Sequence, residues 1–277
     1  MRPLTGQLSW VRSLTMHKDG KPIKRVVIKV GTNVITNRDN RIVGTVLNKL
    51  VEQIAYLYEQ DVLSVLVSSG SVIAGKEVMR HKLHTDNKIV RRQVFSAIGQ
   101  PRLMRHYYTL FQSYGMRCAQ VLATKRDFDP GMHRQNMINC YEGLLREGVI
   151  PIANEDDAVS LSMSTFTDND ELASLVAELI RADLLIILTD TEGFFNGHPA
   201  DADSQLISCI SVDENVEQFV QESTKGEAEG RGGMQSKLRI AKKTALMNIP
   251  TYIANGKRDN VILDIVQGKE VGTRFTK

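Results

Sequence analysis

Residues 25–36 read RVVIKVGTNVIT, and the first half of that stretch decides the fold. Val26, Val27 and Ile28 follow one another and Val30 resumes the run, with Lys29 as its one interruption and no regular apolar–polar alternation. A strand with one wet face alternates apolar and polar residues, whereas a strand covered on both faces does not, and the second pattern belongs to parallel sheets packed between helices. The same near-continuous apolar character marks most of VLSVLV (62–67), RCAQVLA (117–123), VIPIA (149–153), DLLIILT (183–189) and PTYIA (250–254). Amphipathic spacing between these runs predicts helices over 45–59, 92–113, 134–146, 170–181 and 233–247. The alternation predicts an α/β fold, a three-layer α/β/α sandwich with a mainly parallel sheet.

The bulk numbers agree and exclude several function classes. A chain of 277 residues holds one large α/β domain or two small ones. No internal repeat or low-complexity linker divides it, and the hydrophilic segments 196–205 and 221–232 read as loops. The 42% apolar content suffices for a buried core, and a net charge of +3 gives nucleic-acid binding no support. No apolar run is long enough for a membrane span. Cys118, Cys140 and Cys209 are odd in number and far apart, which makes a disulfide framework or metal cluster unexpected and a reducing, cytoplasmic setting the default. His81 and His84 lie close together but lack a third ligand and read as surface residues. Residues 1–24, basic and without an acid before Asp19, read as an unstructured or loosely docked extension rather than a transit peptide.

Ligands of open α/β sheets bind beyond the carboxyl ends of the strands. Here those ends carry GTNVIT after the first strand, SSGSVIAG after the second, NEDDAV after the fourth and DTEG after the fifth, all rich in glycine, hydroxyl, amide or carboxylate groups. Lys29 interrupts a run that otherwise reads as buried. It is either an edge lysine snorkelling to water or a cation aimed into the cleft, beside the amides of Gly31 and Thr32, to hold phosphate. In 67–79 a strand runs through a small-residue turn into a helix. Gly70 lets backbone pass close to a ligand there, and Ser69 and Ser71 stand near a helix N-terminus suited to anions; a plain turn with serine caps explains the same letters. Asn154, Glu155, Asp156 and Asp157 follow the fourth strand, where the three carboxylates could meet an amino group, a metal or solvent. Asp168 reads as the N-cap of the next helix with Glu171 completing a capping-box pattern, which leaves Asn169 and Asp170 without a structural task.

The glycine-rich stretch GEAEGRGGMQSK (226–237) is not a Walker A loop, because Met234, Gln235 and Ser236 separate its last glycine from Lys237. The helix that follows has an inner stripe of Met234, Leu238, Ala241 and Ala245, while Arg239, Lys242 and Lys243 fall on the outer face. Lys237 falls on the inner stripe, either as a snorkelling side chain at a helix end or as a phosphate ligand in the first turn, where the helix dipole favours anions.

Taken together, these segments resemble the amino acid kinase family, and within it the glutamate 5-kinase group. The resemblance runs from about residue 25 to 276 through IKVGTNVIT (28–36), VSSGSVIAG (67–75), AIGQPRLM (97–104), NEDDAV (154–159), DNDELAS (168–174), LTDTEG (188–193), GRGGMQSK (230–237) and GKEVGTRF (268–275). It implies that Lys29 contacts the transferred phosphate, Lys237 lies near the nucleotide phosphates, and Asp170 holds both lysines. It also implies that Ser69, Gly70, Asp157 and Asn169 surround the glutamate substrate. Thr189 and Asp190, with Arg231, Gly232, Gly233, Met234, Gln235, Ser236 and Lys237, would embrace ATP, whose Mg²⁺ arrives on the phosphates rather than in a protein metal site. Proline as feedback inhibitor and a homo-oligomer follow from the same resemblance. Within that resemblance, an RNA-modification-type C-terminal (PUA) domain and a fused reductase domain are not expected in this sequence.

Departures from the family pattern are Ser71 where alanine is usual, Asp156 for asparagine, Thr167 for glycine, Arg231 at a normally small position, and FFNGHPADAD (194–203) without its aspartate-proline pair. They leave Lys29, Asp170 and Lys237 in place. Two alternatives stay open: a kinase of the same fold acting on N-acetylglutamate, aspartate or another small acid, and a non-turnover metabolite-binding regulator.

Overall fold

The computed structural model describes residues 20–79, 83–159, 166, 168–197, 201, 203–219 and 233–277. The expected loosely docked extension lies outside these residues up to position 19, as do Thr167, His81, the whole expected 221–232 loop with Arg231 and Gly232, and positions 198–200 and 202 of the expected 196–205 loop. Within the described part Ile23 is already buried in the core, and the carboxylate of Asp183 accepts from the backbone N–H groups of Lys24 and Arg25, both at 2.8 Å.

Eight strands form one sheet: β1 (Arg25–Val30), β2 (Leu63–Ser68), β3 (Arg117–Ala123), β4 (Val149–Glu155), β5 (Leu184–Thr189), β6 (Cys209–Ser211), β7 (Thr251–Asn255) and β8 (Thr273–Thr276). Their order is β3-β4-β2-β1-β5-β7-β8-β6. Every pairing is parallel except that of β7 with β8. The six expected strands all form within two residues of their predicted limits. β6 and β8 were not expected, because at three and four residues with mixed burial neither gives a clear apolar run.

The helices are α1 (Thr32–Ile35), α2 (Gly44–Glu59), α3 (Ser71–Val78), α4 (Lys88–Ser113), α5 (Met132–Arg146), α6 (Asn169–Leu179), α7 (Met234–Leu246) and α8 (Val261–Val266). Strand side chains alternate between the two faces of the sheet, and the two cores follow that alternation. Val26, Ile28 and Val30 pack with α1, α2, α4 and α8, whereas Val27, Leu185 and Ile187 pack with α5, α6 and α7. Lys29 shares its phase with Val27, so it emerges on the α6–α7 side. The helix expected over 92–113 begins four residues earlier, where Asn87 Oδ1 accepts from the backbone N–H groups of Ile89 at 2.9 Å and Val90 at 3.3 Å. No helix among the described residues is long and apolar enough to cross a membrane.

Candidate active site

One cavity of about 810 Å³ opens over the carboxyl ends of β1, β2, β4 and β5. The starts of α1, α3, α6 and α7 border it, through Thr32, Ser71, Asn169 and Met234. The first N–H groups of a helix have no intrahelical acceptor and carry its positive dipole end, so their convergence favours an anion.

Two lysines and a carboxylate meet at its floor. Lys29 Nζ lies 2.6 Å from Asp170 Oδ1, and Lys237 Nζ lies 3.0 Å from Asp170 Oδ2. All three are buried, Asp170 completely. Burial alone would push the Asp170 carboxyl up, but the ammonium groups of Lys29 and Lys237 outweigh it and hold the pKa below the ordinary aspartate value. The carboxylate is held because α6 begins at the right place. Asp168 Oδ1 accepts from the N–H groups of Asp170 at 2.9 Å and Glu171 at 3.0 Å, capping the helix as its sequence implies. Asp168 Oδ2 accepts from Ser236 Oγ at 2.6 Å, tying the first turn of α7 to the cap of α6. Glu171 lies 2.7 Å from Lys125 through its own carboxylate.

On one side of the floor stand Ser69, Gly70, Asp157 and Asn169. Asn169 Nδ2 donates to Ser69 Oγ and to Asn154 Oδ1, both at 2.9 Å, bridging the loops after β2 and β4. Asn154 Nδ2 is buried with no hydrogen-bond acceptor among the described residues. Gly70 caps α3 with φ of 110°, a left-handed conformation that L side chains rarely adopt, so a substitution there is strained whatever the space beside Ile35 allows. The serine-cap reading of this turn does not hold: α3 has no side-chain cap, Ser69 Oγ accepts from Asn169, and the Ser71 hydroxyl lies 3.1 Å from Ser96 Oγ, to which it donates.

Across the floor, Thr189 and Asp190 line the cavity with Gly233 and Met234. Asn33 Nδ2 donates to Asp190 Oδ2 at 3.1 Å and Gly31 N–H donates to Leu188 O at 3.2 Å, fastening the loop after β1 to the end of β5. Gln235 is exposed and does not line the cavity; Ser236 is engaged with Asp168 instead. Arg231 and Gly232 lie outside the described residues. Asp156 does not face this cavity: it lines a smaller one of about 240 Å³, and its backbone N–H donates to Ala123 O at 2.9 Å. No cluster of three or more potential metal ligands occurs among the described residues.

The sequence did not single out Asn33, Arg92 or Ser96. Arg92 Nε donates to Asp157 Oδ1 at 2.8 Å, and Ser96 Oγ donates to Asp157 Oδ2 at 2.8 Å. Both sit on α4, where their letters read as ordinary members of an amphipathic helix, and nothing in one sequence brings α4 against the loop after β4.

Residues 24–255 match the amino acid kinase family. Glutamate 5-kinase of Bacteroides thetaiotaomicron is 42% identical over 253 residues, which are 91% of this chain and 69% of that protein. Glutamate 5-kinase of Chlorobaculum tepidum is 39% identical over 254 residues, again 91% and 69%. Among solved structures, isopentenyl phosphate kinase of T. acidophilum superposes with a TM-score of 0.65 at 16% identity, covering 91% of this chain and all of that one, a likeness of fold. On these matches and on the lysine-aspartate-lysine floor they accompany, the chain belongs to the amino acid kinase family, among the glutamate 5-kinase sequences of that family.

Proposed function

We propose that this protein transfers the γ-phosphoryl group of Mg-ATP to the side-chain carboxylate of L-glutamate, giving glutamyl 5-phosphate and ADP, the entry step of proline synthesis. The observation that carries the reading is the floor itself. Two buried ammonium groups share one carboxylate, which leaves one net positive charge at the cavity floor, between the side lined by Ser69, Asp157 and Asn169 and the side lined by Thr189, Asp190 and Met234.

The chemistry asks little else of the protein. A glutamate side chain is ionised at neutral pH, so one of its oxygens attacks the γ-phosphorus without a general base while the bond to the β-phosphate oxygen breaks. What must be supplied is alignment and neutralisation of the negative charge on the group in flight. Lys29 and Lys237 are placed to supply the charge, and Asp170 fixes both against a rigid helix cap. The N–H groups at the helix starts add donors that need no reorganisation. Ser69, Asn169 and Asp157 would hold the glutamate, with Gly70 letting its backbone pass close. Thr189, Asp190, Gly233 and Met234 would hold the nucleotide, and Arg231, Gly232, Gln235 and Ser236 belong to the same proposed embrace through the glycine-rich turn. Mg²⁺ travels with the phosphates as part of the substrate. Proline as feedback inhibitor, a homo-oligomer and a cytoplasmic setting complete the proposal.

The test is ADP release from purified protein and Mg-ATP with L-glutamate, N-acetylglutamate, aspartate or no acceptor, in the presence of hydroxylamine. Glutamate-dependent ADP with an equal amount of glutamyl hydroxamate is the expected result. ADP release with N-acetylglutamate but not glutamate would overturn the substrate, since that molecule has no ammonium for Asp157. Adding proline to the same assay tests inhibition.

A further inference from the structure

Arg92, in the second turn of α4, lines the cavity beside Asp157 and has no part in the mechanism above. Its Nε donates to Asp157 Oδ1 at 2.8 Å, while Nη2 lies 2.7 Å from the same oxygen and 3.4 Å from Glu155 Oε2. The other oxygen of Asp157 accepts from Ser96. An ionised carboxylate offers about four acceptor positions, so the arginine and the serine leave one open, on Oδ2. The two carboxylates are almost wholly buried, with side chains 5% and 3% exposed, whereas Arg92 keeps 36% of its side chain exposed. No acceptor among the described residues meets its Nη1. A guanidinium carries five N–H donors in a planar fork matched to carboxylates, and part of that fork remains available at the cavity.

This arrangement poses a problem for any ligand bound through an ammonium group alone. The open position on Asp157 lies next to a guanidinium of the same sign, which repels a second cation. A ligand carrying only a carboxylate meets the opposite difficulty, because Asp157 and Glu155 lie behind the arginine. A molecule with an ammonium and a carboxylate on one carbon satisfies both.

We propose that Arg92 and Asp157 together read the α-amino-acid end of the acceptor, the ammonium on Asp157 Oδ2 and the α-carboxylate on the free part of the Arg92 fork. The inference rests on the glutamate kinase reading and deepens it by assigning a specificity-determining residue. Lys88 and Arg91, which line the same side of the cavity, add to the positive potential that a carboxylate would meet.

The experiment compares L-glutamate, 4-aminobutanoate (no α-carboxylate) and glutarate (no ammonium) on wild-type protein, Arg92→Met and Arg92→Lys. Each compound is followed by kcat/KM where turnover is detectable and by its competitive inhibition constant otherwise. Wild type should prefer glutamate to 4-aminobutanoate by about 100-fold or more, and Arg92→Met should cut that ratio by at least ~10-fold through KM. Arg92→Lys should restore most of it, and an unchanged dissociation constant for Mg-ATP will show that the variants are folded. If Arg92→Met weakens both acceptors equally, Arg92 merely orients Asp157 and the inference fails. If it strengthens both, Arg92 is a competitor for the ammonium site and the inference fails again. Wild-type protein that does not use glutamate at all would instead remove the parent reading, and this one with it.

Discussion

Lys29 and Lys237 belong to elements more than two hundred positions apart in the sequence, and each is anomalous in the same way, a cation on an apolar stripe. Lys29 sits in phase with Val27 on β1, and Lys237 in phase with Leu238 and Ala241 on α7, so both must point into the layer between sheet and helices. There Asp170 receives them. Replacing either lysine with alanine should lower kcat about 100-fold or more, since removing one preorganised donor to a transition-state oxygen costs ~10²–10³; steady-state ADP release measures it, and near-wild-type rates in both variants would sink their assignment. Asp170 makes a separate prediction about acid. Its folded pKa is depressed, so the stabilisation it gives is complete above the unfolded carboxylate range and is lost as pH falls through the folded value. Asp170→Asn should therefore be less stable than wild type by about 3 kcal/mol or more at pH 7, with the gap closing below about pH 4. Urea unfolding at the two pH values gives the answer, and a gap independent of pH would mean that the carboxylate charge is not what holds the floor. Lys29 and Lys237 were legible from sequence because each put a cation on an apolar stripe, and Asp170 because the helix cap at Asp168 left it without a structural task. Arg92 and Ser96 were not, because on an exposed or amphipathic helix an arginine and a serine break nothing.

Between elements, α3 and α4 fit closely through their glycines. A methyl group at Gly99 would lie 1.7 Å from the carbonyl oxygen of Ser71, and one at Gly75 would lie 1.9 Å from that of Phe95. The two helices thus approach through paired glycines, backbone against backbone. The same contact delivers Ser96 and Arg92 to Asp157, so it positions the site as well as packing the layer. Gly99→Ala must push the helices apart; at roughly 1–3 kcal/mol for overpacking and 2–4 °C per kcal/mol in a chain this size, the melting temperature should fall by about 2–12 °C. A melting curve unchanged from wild type would show that the layer yields without cost. Strand and helix alternation was readable because β1, β2, β4, β5 and β7 are buried on both faces and helices of eleven residues or more separate most of them. What escaped the sequence were the short pieces α1, α8, β6 and β8. Their few residues hold shape through partners, as when Gln53 Oε1 on α2 accepts from the N–H of Ile262 at 2.8 Å.

For the molecule as a whole, the cavity is assembled from loops that meet across the sheet ends, through bonds such as Asn33–Asp190, Asn169–Asn154 and Ser236–Asp168. A ligand that spans them should stabilise the entire fold rather than one segment. Mg-ATP at 100 times its dissociation constant should add about 2.7 kcal/mol, seen as a single upward-shifted thermal transition; a shift absent with Mg-ATP but present with glutamate alone would argue against the nucleotide wall. One feature of the sheet also bears on how the chain is made. Among the described residues β6 pairs with β8 and with no other strand, through Cys209–Arg274, Ile210–Phe275 and Ser211–Thr276. During synthesis β6 leaves the ribosome well before its partner exists, and at ~5–20 residues per second that interval lasts for seconds. Throughout it the nascent chain carries a short strand with neither edge occupied, a waiting time in which the growing protein is open to capture by chaperones or by another unfinished chain.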